Sequence, residues 1–135
     1  MDLIDTIHIS SSGLKVQQDR LKVVSQNIAN AESVGTRDGQ APYRRKTISF
    51  KNALDKETGA QMVATKKVST DKSEFMKKYE PAHPQADDQG YVLYPNVNPL
   101  SEMMDMREAR RSYEANLNVI ESSKSMLTQT INLLR

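Results

Sequence analysis

Residues 103–134 read MMDMREARRSYEANLNVIESSKSMLTQTINLL, and this stretch decides the fold. Alternate steps of three and four residues from Met103 pass through Met106, Arg110, Tyr113, Leu117, Ile120, Lys124, Leu127, Ile131 and Leu134. All but Arg110 and Lys124 are apolar or aromatic, and no Gly or Pro follows Pro99. A hydrophobic period of about 3.5 residues marks one side of a helix, the pattern of a coiled-coil seam. In water such a helix gains too little to offset the entropy of ordering it, so the pattern demands a helical partner. Arg110 and Lys124 interrupt the ladder. Either they lay their stems along the seam with the charge in water, or they fix register against an acidic group on a neighbouring subunit.

A second seam lies at the other end of the chain. Ile7, Leu14, Leu21 and Ile28 recur every seven residues, and Leu3, Val24 and Ala31 widen the stripe. This predicts an amphipathic helix over roughly residues 3–31, ending near Asn30, with Gly13 as its weak point. The two helices can close on each other or pack against further copies, and the residues leave that choice open. Between them, 32–42 reads as a loop, and 43–50 and 61–68 as strands with a turn ending at Thr58-Gly59. Residues 69–80 are ambiguous, Pro81 and Pro84 predict extended backbone, and 91–94 reads as a short strand. Asn98-Pro99 supplies a cap and a first helical residue for the last helix. The expected fold is mainly α, with two long terminal helices pairing as a coiled-coil-like hairpin around a small β-containing, partly irregular middle segment.

With 135 residues, 37% of them hydrophobic and 5% aromatic, the chain is too polar for a large central core. Much of its apolar content sits in the two seams, which suits an assembling protein better than an enzyme. The absence of Cys excludes disulfides and thiolate chemistry. The N-terminus is acidic where a secretory leader is basic, and no run is long enough to span a bilayer, so export without a cleaved signal peptide and no direct membrane insertion are expected. Net charge is +2, and the excess falls in residues 32–99, leaving both seams balanced and able to pack like with like.

Catalytic chemistry has little to stand on. Of the two histidines, His8 reads as solvent-facing. Glu80, His83, Asp87 and Asp88 form a spacing set by two prolines and read as a polar turn. No nucleophile elbow, phosphate loop or zinc-protease motif occurs, and no cofactor is expected. Arg44-Arg45-Lys46 with Lys51, Lys56, Lys66 and Lys67 is basic but short of stacking aromatics, so it reads as solvated loop or protein interface, not a nucleic-acid surface. Met103, Met104, Met106 and Met126 suit contacts that vary between copies.

Three blocks carry a resemblance. Ser25-Gln26-Asn27-Ile28-Ala29-Asn30-Ala31-Glu32-Ser33 resembles the N-terminal signature of bacterial flagellar rod and hook proteins. Residues 79–87, reading YEPAHPQAD, lead into Gly90-Tyr91-Val92 and Pro95-Asn96-Val97-Asn98. This block is similar to that of the proximal rod family, with Ala82 where a glycine is common. Glu102-Met103-Met104-Asp105-Met106, followed by Ala109, Arg110 and Ser112-Tyr113-Glu114-Ala115-Asn116, resembles that family's last helix.

The resemblance implies a structural subunit of the flagellar proximal rod, the helical drive shaft that carries torque across the periplasm. It further implies residues 1–33 and 99–135 as the two helices of an axial core, with 34–98 facing outward. Implied partners are other copies, other rod proteins, the adaptor at the rod base and the type III export apparatus. The residues expected at the assembly interface are Ile7, Leu14, Leu21, Asn27, Ile28, Asn30, Arg110, Tyr113, Asn116, Leu117, Ile120, Leu127 and Ile131. A soluble coiled-coil adaptor or export chaperone is the competing reading, using the same heptads in a closed oligomer.

Overall fold

A computed structural model describes residues 3–35, 39–56 and 59–133. The element order is α1 (Leu3–Ala29), β1 (Lys46–Leu54), β2 (Gln61–Thr70), β3 (Met76–Tyr79), β4 (Tyr91–Tyr94) and α2 (Pro99–Leu133). The expected fold class is thus observed, and the strands form two separate two-stranded sheets, β1-β2 and β3-β4.

Local chemistry sets the boundaries. At the end of α1, Asn30 donates both its backbone N–H (3.2 Å) and its side-chain Nδ2 (2.8 Å) to the Gln26 carbonyl, covering an acceptor that the finished helix leaves open. At the start of α2, Asn98 Oδ1 accepts from the N–H groups of Leu100 (3.0 Å) and Ser101 (3.4 Å), while Pro99 takes the position where no N–H is needed. The two prolines of the 79–87 block behave differently from the extended backbone expected of them. His83 N–H reaches the Glu80 carbonyl at 3.0 Å and Ala86 N–H the His83 carbonyl at 3.0 Å, so each proline is the second residue of a tight turn. A fixed φ near −65° serves that position as well as an extended one. The block then closes on Gly90, whose φ of +80° disfavours a side chain and where an added Cβ would meet Tyr79 Cε2 at 2.9 Å.

The chain forms two compact units, and α1 and α2 each contribute to both. The first takes the residues up to Leu21, Ile48–Lys67, and those from Arg107 onward. In it the helices run antiparallel, with Gly13 against Asn116 and Arg20 paired to Glu108 at 3.3 Å. Val16 and Ala109 are buried there with the small polar Ser10 and Ser123. The hairpin docks on α1 through Thr65 Oγ1, which donates to Asp19 at 2.7 Å, and Val63 N–H, which donates to Ser12 Oγ at 3.3 Å. Gly13, expected to be the weak point of α1, is where α2 approaches closely: a Cβ there would meet Asn116 Nδ2 at 2.9 Å.

The second unit takes Lys22–Thr47 and Val68–Met106. Val23, Val24, Ala31, Val92, Pro95 and Val97 form its apolar core. β3 and β4 pair antiparallel from Met76 opposite Tyr94 to Tyr79 opposite Tyr91, and this register turns Val92 inward.

The inward side of α2 differs from the predicted ladder in one of its two rows. Met106, Tyr113, Ile120 and Leu127 are partly buried, as the ladder requires. The other row is exposed: Met103 at 55%, Leu117 at 39% and Ile131 at 63%, together with Arg110 and Lys124. Its inward counterpart lies one residue earlier in the chain and consists of Glu102, Ala109, Asn116 and Ser123. On α1, Ile7, Leu14, Leu21 and Ile28 are likewise half-buried flanks beside a more deeply buried set including Val16, Val23, Val24 and Asn27. The physical reason is spacing. Close approach at Gly13 leaves room on the facing part of α2 only for small or hydrogen-bonding side chains such as Ala109, Asn116 and Ser123, so the larger apolar residues of α2 sit to one side there. Leu134 lies outside the described residues.

Candidate functional site

The densest polar constellation belongs to the second unit and is centred on Asn27, which is 1% exposed. Asn27 lies in the last two turns of α1, on the buried row, so its short amide reaches the start of β1. Its Nδ2 donates to the Lys46 carbonyl (2.8 Å) and to Glu102 Oε2 (3.0 Å). Its Oδ1 accepts from Lys46 N–H (2.9 Å) and from the Tyr43 hydroxyl (2.9 Å). The amide thus engages both backbone groups of Lys46, as a neighbouring strand would. An amide carries two donors and two acceptor positions on one planar group, and Asn holds it one methylene closer to α1 than Gln would. All four hydrogen-bonding positions of the side chain are used.

Glu102, one turn into α2 and 1% exposed, is the buried charge of the constellation. Arg45 Nε donates to its Oε1 at 2.6 Å, and Arg45 Nη2 lies 3.7 Å from Asp105 Oδ2. The hydrogen bond to Glu102 is the main reason the Arg45 guanidinium is held above its ordinary pKa, against the opposing effect of burial. Burial first, then the Glu102 charge, pushes the Tyr43 phenol above its ordinary value of 10.0. An isolated buried carboxylate is costly, and this one is tolerated because a cation and an amide both donate to it.

From Arg45 the network extends to two linkers. Arg45 N–H donates to Asn96 Oδ1 at 2.8 Å, and Asn96 Nδ2 donates to Ser73 Oγ at 2.7 Å and to the carbonyls of Asp71 (3.3 Å) and Ser73 (3.4 Å). Arg44 donates to the Ser73 carbonyl at 3.2 Å, and its guanidinium lies over the Phe75 ring at 4.2 Å. The Arg44-Arg45-Lys46 run is therefore committed to internal contacts, with Lys46 Nζ on Gln26 Oε1 at 3.1 Å.

Of the thirteen residues expected at an assembly interface, the structure brings Asn27 into this hub. Asn30 caps α1 and accepts from the Ser33 hydroxyl at 3.3 Å. Ile7, Leu14, Leu21 and Ile28 on α1 and Tyr113, Asn116, Ile120 and Leu127 on α2 are partly buried. Arg110, Leu117 and Ile131 face solvent. Sequence reasoning missed Glu102, Arg45, Asn96 and Tyr43 as members of one site. A signal existed: a carboxylate on the inward row at the start of α2, and a run of cations just before a strand, are complementary charges in want of partners.

The polar turn is likewise accounted for. Glu80 Oε2 accepts from the Tyr94 hydroxyl (3.0 Å), His83 Nδ1 from Gln85 N–H (3.1 Å), and Asp87 Oδ1 from the N–H groups of Gln89 (2.9 Å) and Tyr91 (2.8 Å). Among the described residues no group of acidic or histidine side chains is placed to hold a metal, and no helix is long and apolar enough to cross a membrane.

Comparison with known proteins places this architecture. Residues 7–35 match the family described as Flagella basal body rod protein, and residues 88–133 match the family described as Flagellar basal body rod FlgEFG protein C-terminal. These segments cover most of α1 and all of β4 and α2. The chain is 50% identical to the flagellar basal-body rod protein FlgC of Agrobacterium fabrum, across 94% of this chain and 91% of that one. It is 41% identical to the FlgC proteins of Borreliella burgdorferi, over 100% of this chain and 99% of the relative, and of Salmonella typhimurium, over 98% of each. Nothing in these relatives supports the soluble adaptor or chaperone. A chain built of two terminal helices around a small β segment, with Asn27, Asn96 and Glu102 of its three signature blocks committed to its hub, belongs to the FlgC family of flagellar basal-body rod proteins and is a structural subunit of the rod.

Proposed function

We propose that this subunit is built into the proximal rod through the exposed row of α2 and the half-buried row of α1, leaving the inward rows to hold the monomer together. The observation that carries this is the division of labour on α2. Ala109, Asn116 and Ser123 serve the intramolecular seam, while Leu117, Ile131 and Met103, which the internal fold does not require, remain open to solvent. A helix with a second apolar row beside its first gains from a further neighbour. Arg110 and Lys124 share that row, and their long stems let charge reach acidic groups on an adjoining rod subunit while the methylenes cover apolar surface.

In this reading residues 1–33 and 99–135 line the axial core and 34–98 face outward. Other copies and other rod proteins cover the exposed rows, the adaptor at the rod base meets the lowest subunits, and the type III export apparatus delivers the chain. Stacked in this way, many copies make a shaft that resists twisting and carries torque.

Two experiments test it. Electron microscopy of basal bodies from a strain lacking this chain should show the membrane-embedded base without a rod, restored with the gene; intact rods would refute the proximal-rod role. Leu117→Asp should leave the stability of the purified chain within about 0.5 kcal/mol of the parent, because the site is exposed, yet abolish rod assembly. Normal motility in that variant would remove the exposed row from the interface.

A further inference from the structure

We propose that the Asn27–Glu102–Arg45 hub is a register pin. It prevents α1, α2 and the start of β1 from slipping past one another when the subunit is twisted, and so sets the stiffness of the subunit more than its ability to fold. The inference rests on the chain being a rod subunit, and concerns what this hub adds to that role.

The argument starts from what apolar seams do poorly. Side chains that repeat every seven residues present nearly the same surface after a shift of one or two turns, so a seam of valines and leucines has closely spaced alternative registers. Packed helices are known to ratchet by one turn between such arrangements. Hydrogen bonds have no equivalent partner one turn away. Asn27 holds both backbone groups of Lys46 at 2.8 and 2.9 Å and Glu102 at 3.0 Å, so a sliding helix breaks all three together. Arg45 reaches Glu102 Oε1 and, through its own N–H, Asn96. Asn96 in turn holds Ser73. Two helix ends, one strand start and two linkers are joined in a single network.

Stability alone does not account for this choice. Replacing a buried ion pair by apolar side chains of similar volume is often neutral or stabilising, whereas fixing register is the best-attested use of buried polar groups. A core that needed only cohesion has no need of a carboxylate at position 102 or a cation at 45. The parent residues make the contact directional.

The test uses strains carrying the full chain with Glu102→Leu and Arg45→Met together, beside a strain with Arg45→Lys. The double variant keeps the Asn27–Lys46 pairing, removes both the ionic tie and the Asn27–Glu102 hydrogen bond to α2, and leaves one Asn27 donor without its acceptor. Rods are counted in isolated basal bodies, the purified chains are unfolded in denaturant, and swimming speed is followed as medium viscosity is raised. The pin predicts near-normal rod number and a chain stability lowered by no more than the one unpaired Asn27 donor, with speed matching the parent in thin medium and falling about twofold or more below it in thick medium. Arg45→Lys, which keeps a cation beside Glu102, should retain most of the load tolerance. The proposal is overturned if speed falls by the same factor at every viscosity in step with rod number, since the hub then serves folding or assembly. It is equally overturned if the double variant swims like the parent under every load. Failure of the rod role itself would be seen separately, as intact rods in the strain lacking the chain.

Discussion

The two units of this chain solve the same problem, joining α1 to α2, by opposite means. In the first unit the contact is made by absence of bulk: Gly13, Ala109 and Ser123 let the backbones approach, and Asn116 fills what is left. In the second, the buried Asn27 amide ties α1 to Glu102 of α2, and the partly buried Arg45 ties Glu102 to the start of β1. Close packing of small residues gains dispersion contacts at every position and tolerates small shifts. A polar network is all or nothing, because each group left without its partner keeps its desolvation cost. One unit therefore has a forgiving joint and the other an exacting one.

The sharpest way to break this contrast is Asn27→Asp. It removes both donated bonds, sets a carboxylate oxygen against the Lys46 carbonyl and places a second negative charge beside buried Glu102. The expected loss is about 3–5 kcal/mol. Hydrogen exchange should show the loss in residues 22–47 and 68–106, with amides of the first unit little changed. Equal loss of protection in both units would mean that the joints are not independent.

Gly13→Leu attacks the other joint. Overpacking against Asn116 should cost about 2–3 kcal/mol, and adding Asn116→Ala should recover about half, because the clash is with that side chain. Failure of the second change to help would show that backbone approach, not the amide, limits the space.

Tyr43→Phe sharpens the comparison at lower cost. It deletes one hydrogen bond to Asn27, worth about 1 kcal/mol at neutral pH. The pH dependence has a definite sign. The phenol is raised above 10.0 in the folded chain, so its stabilising contribution is complete below that value and is lost as pH rises through the folded pKa. The parent should therefore weaken in alkali beyond pH 10 more than Tyr43→Phe does, as read from denaturant midpoints.

The smallest effect belongs to Gln17, whose Oε1 is buried in the first unit without a partner among the described residues. Gln17→Met should stabilise the chain by about 0.5 kcal/mol, since the tolerant joint has no use for that acceptor. A loss instead, read from denaturant midpoints of the purified chain, would indicate that the Gln17 acceptor is satisfied within the folded chain.

Much of the fold was legible because its signals are local. Asn98-Pro99 announces the start of α2 through a cap and a ring-fixed φ, and Tyr91–Tyr94 announces β4 between a turn and a proline. The hub was only half legible. Asn27 stood out in its motif, but Arg45 was read with its neighbours as a surface charge run, since nothing within a few residues of it reveals a carboxylate 57 positions away. Pro81 and Pro84 were read as extended and are turn residues instead: their φ suits both states, and the hydrogen bonds to the Glu80 and His83 carbonyls decide.

The sequence by itself determined that two long amphipathic helices enclose a small β segment, that the chain carries no thiol, and that its three blocks resemble those of flagellar rod proteins. Period, caps and motif are properties of neighbours along the chain. Only the tertiary structure decided which of two overlapping heptad rows on α2 turns inward. Apolar residues a step apart in register satisfy the same period, so hydrophobicity alone favours the row with Leu117 and Ile131. Close approach of α1 at Gly13 admits the row with Ala109, Asn116 and Ser123 instead, and leaves the larger side chains free for a neighbour.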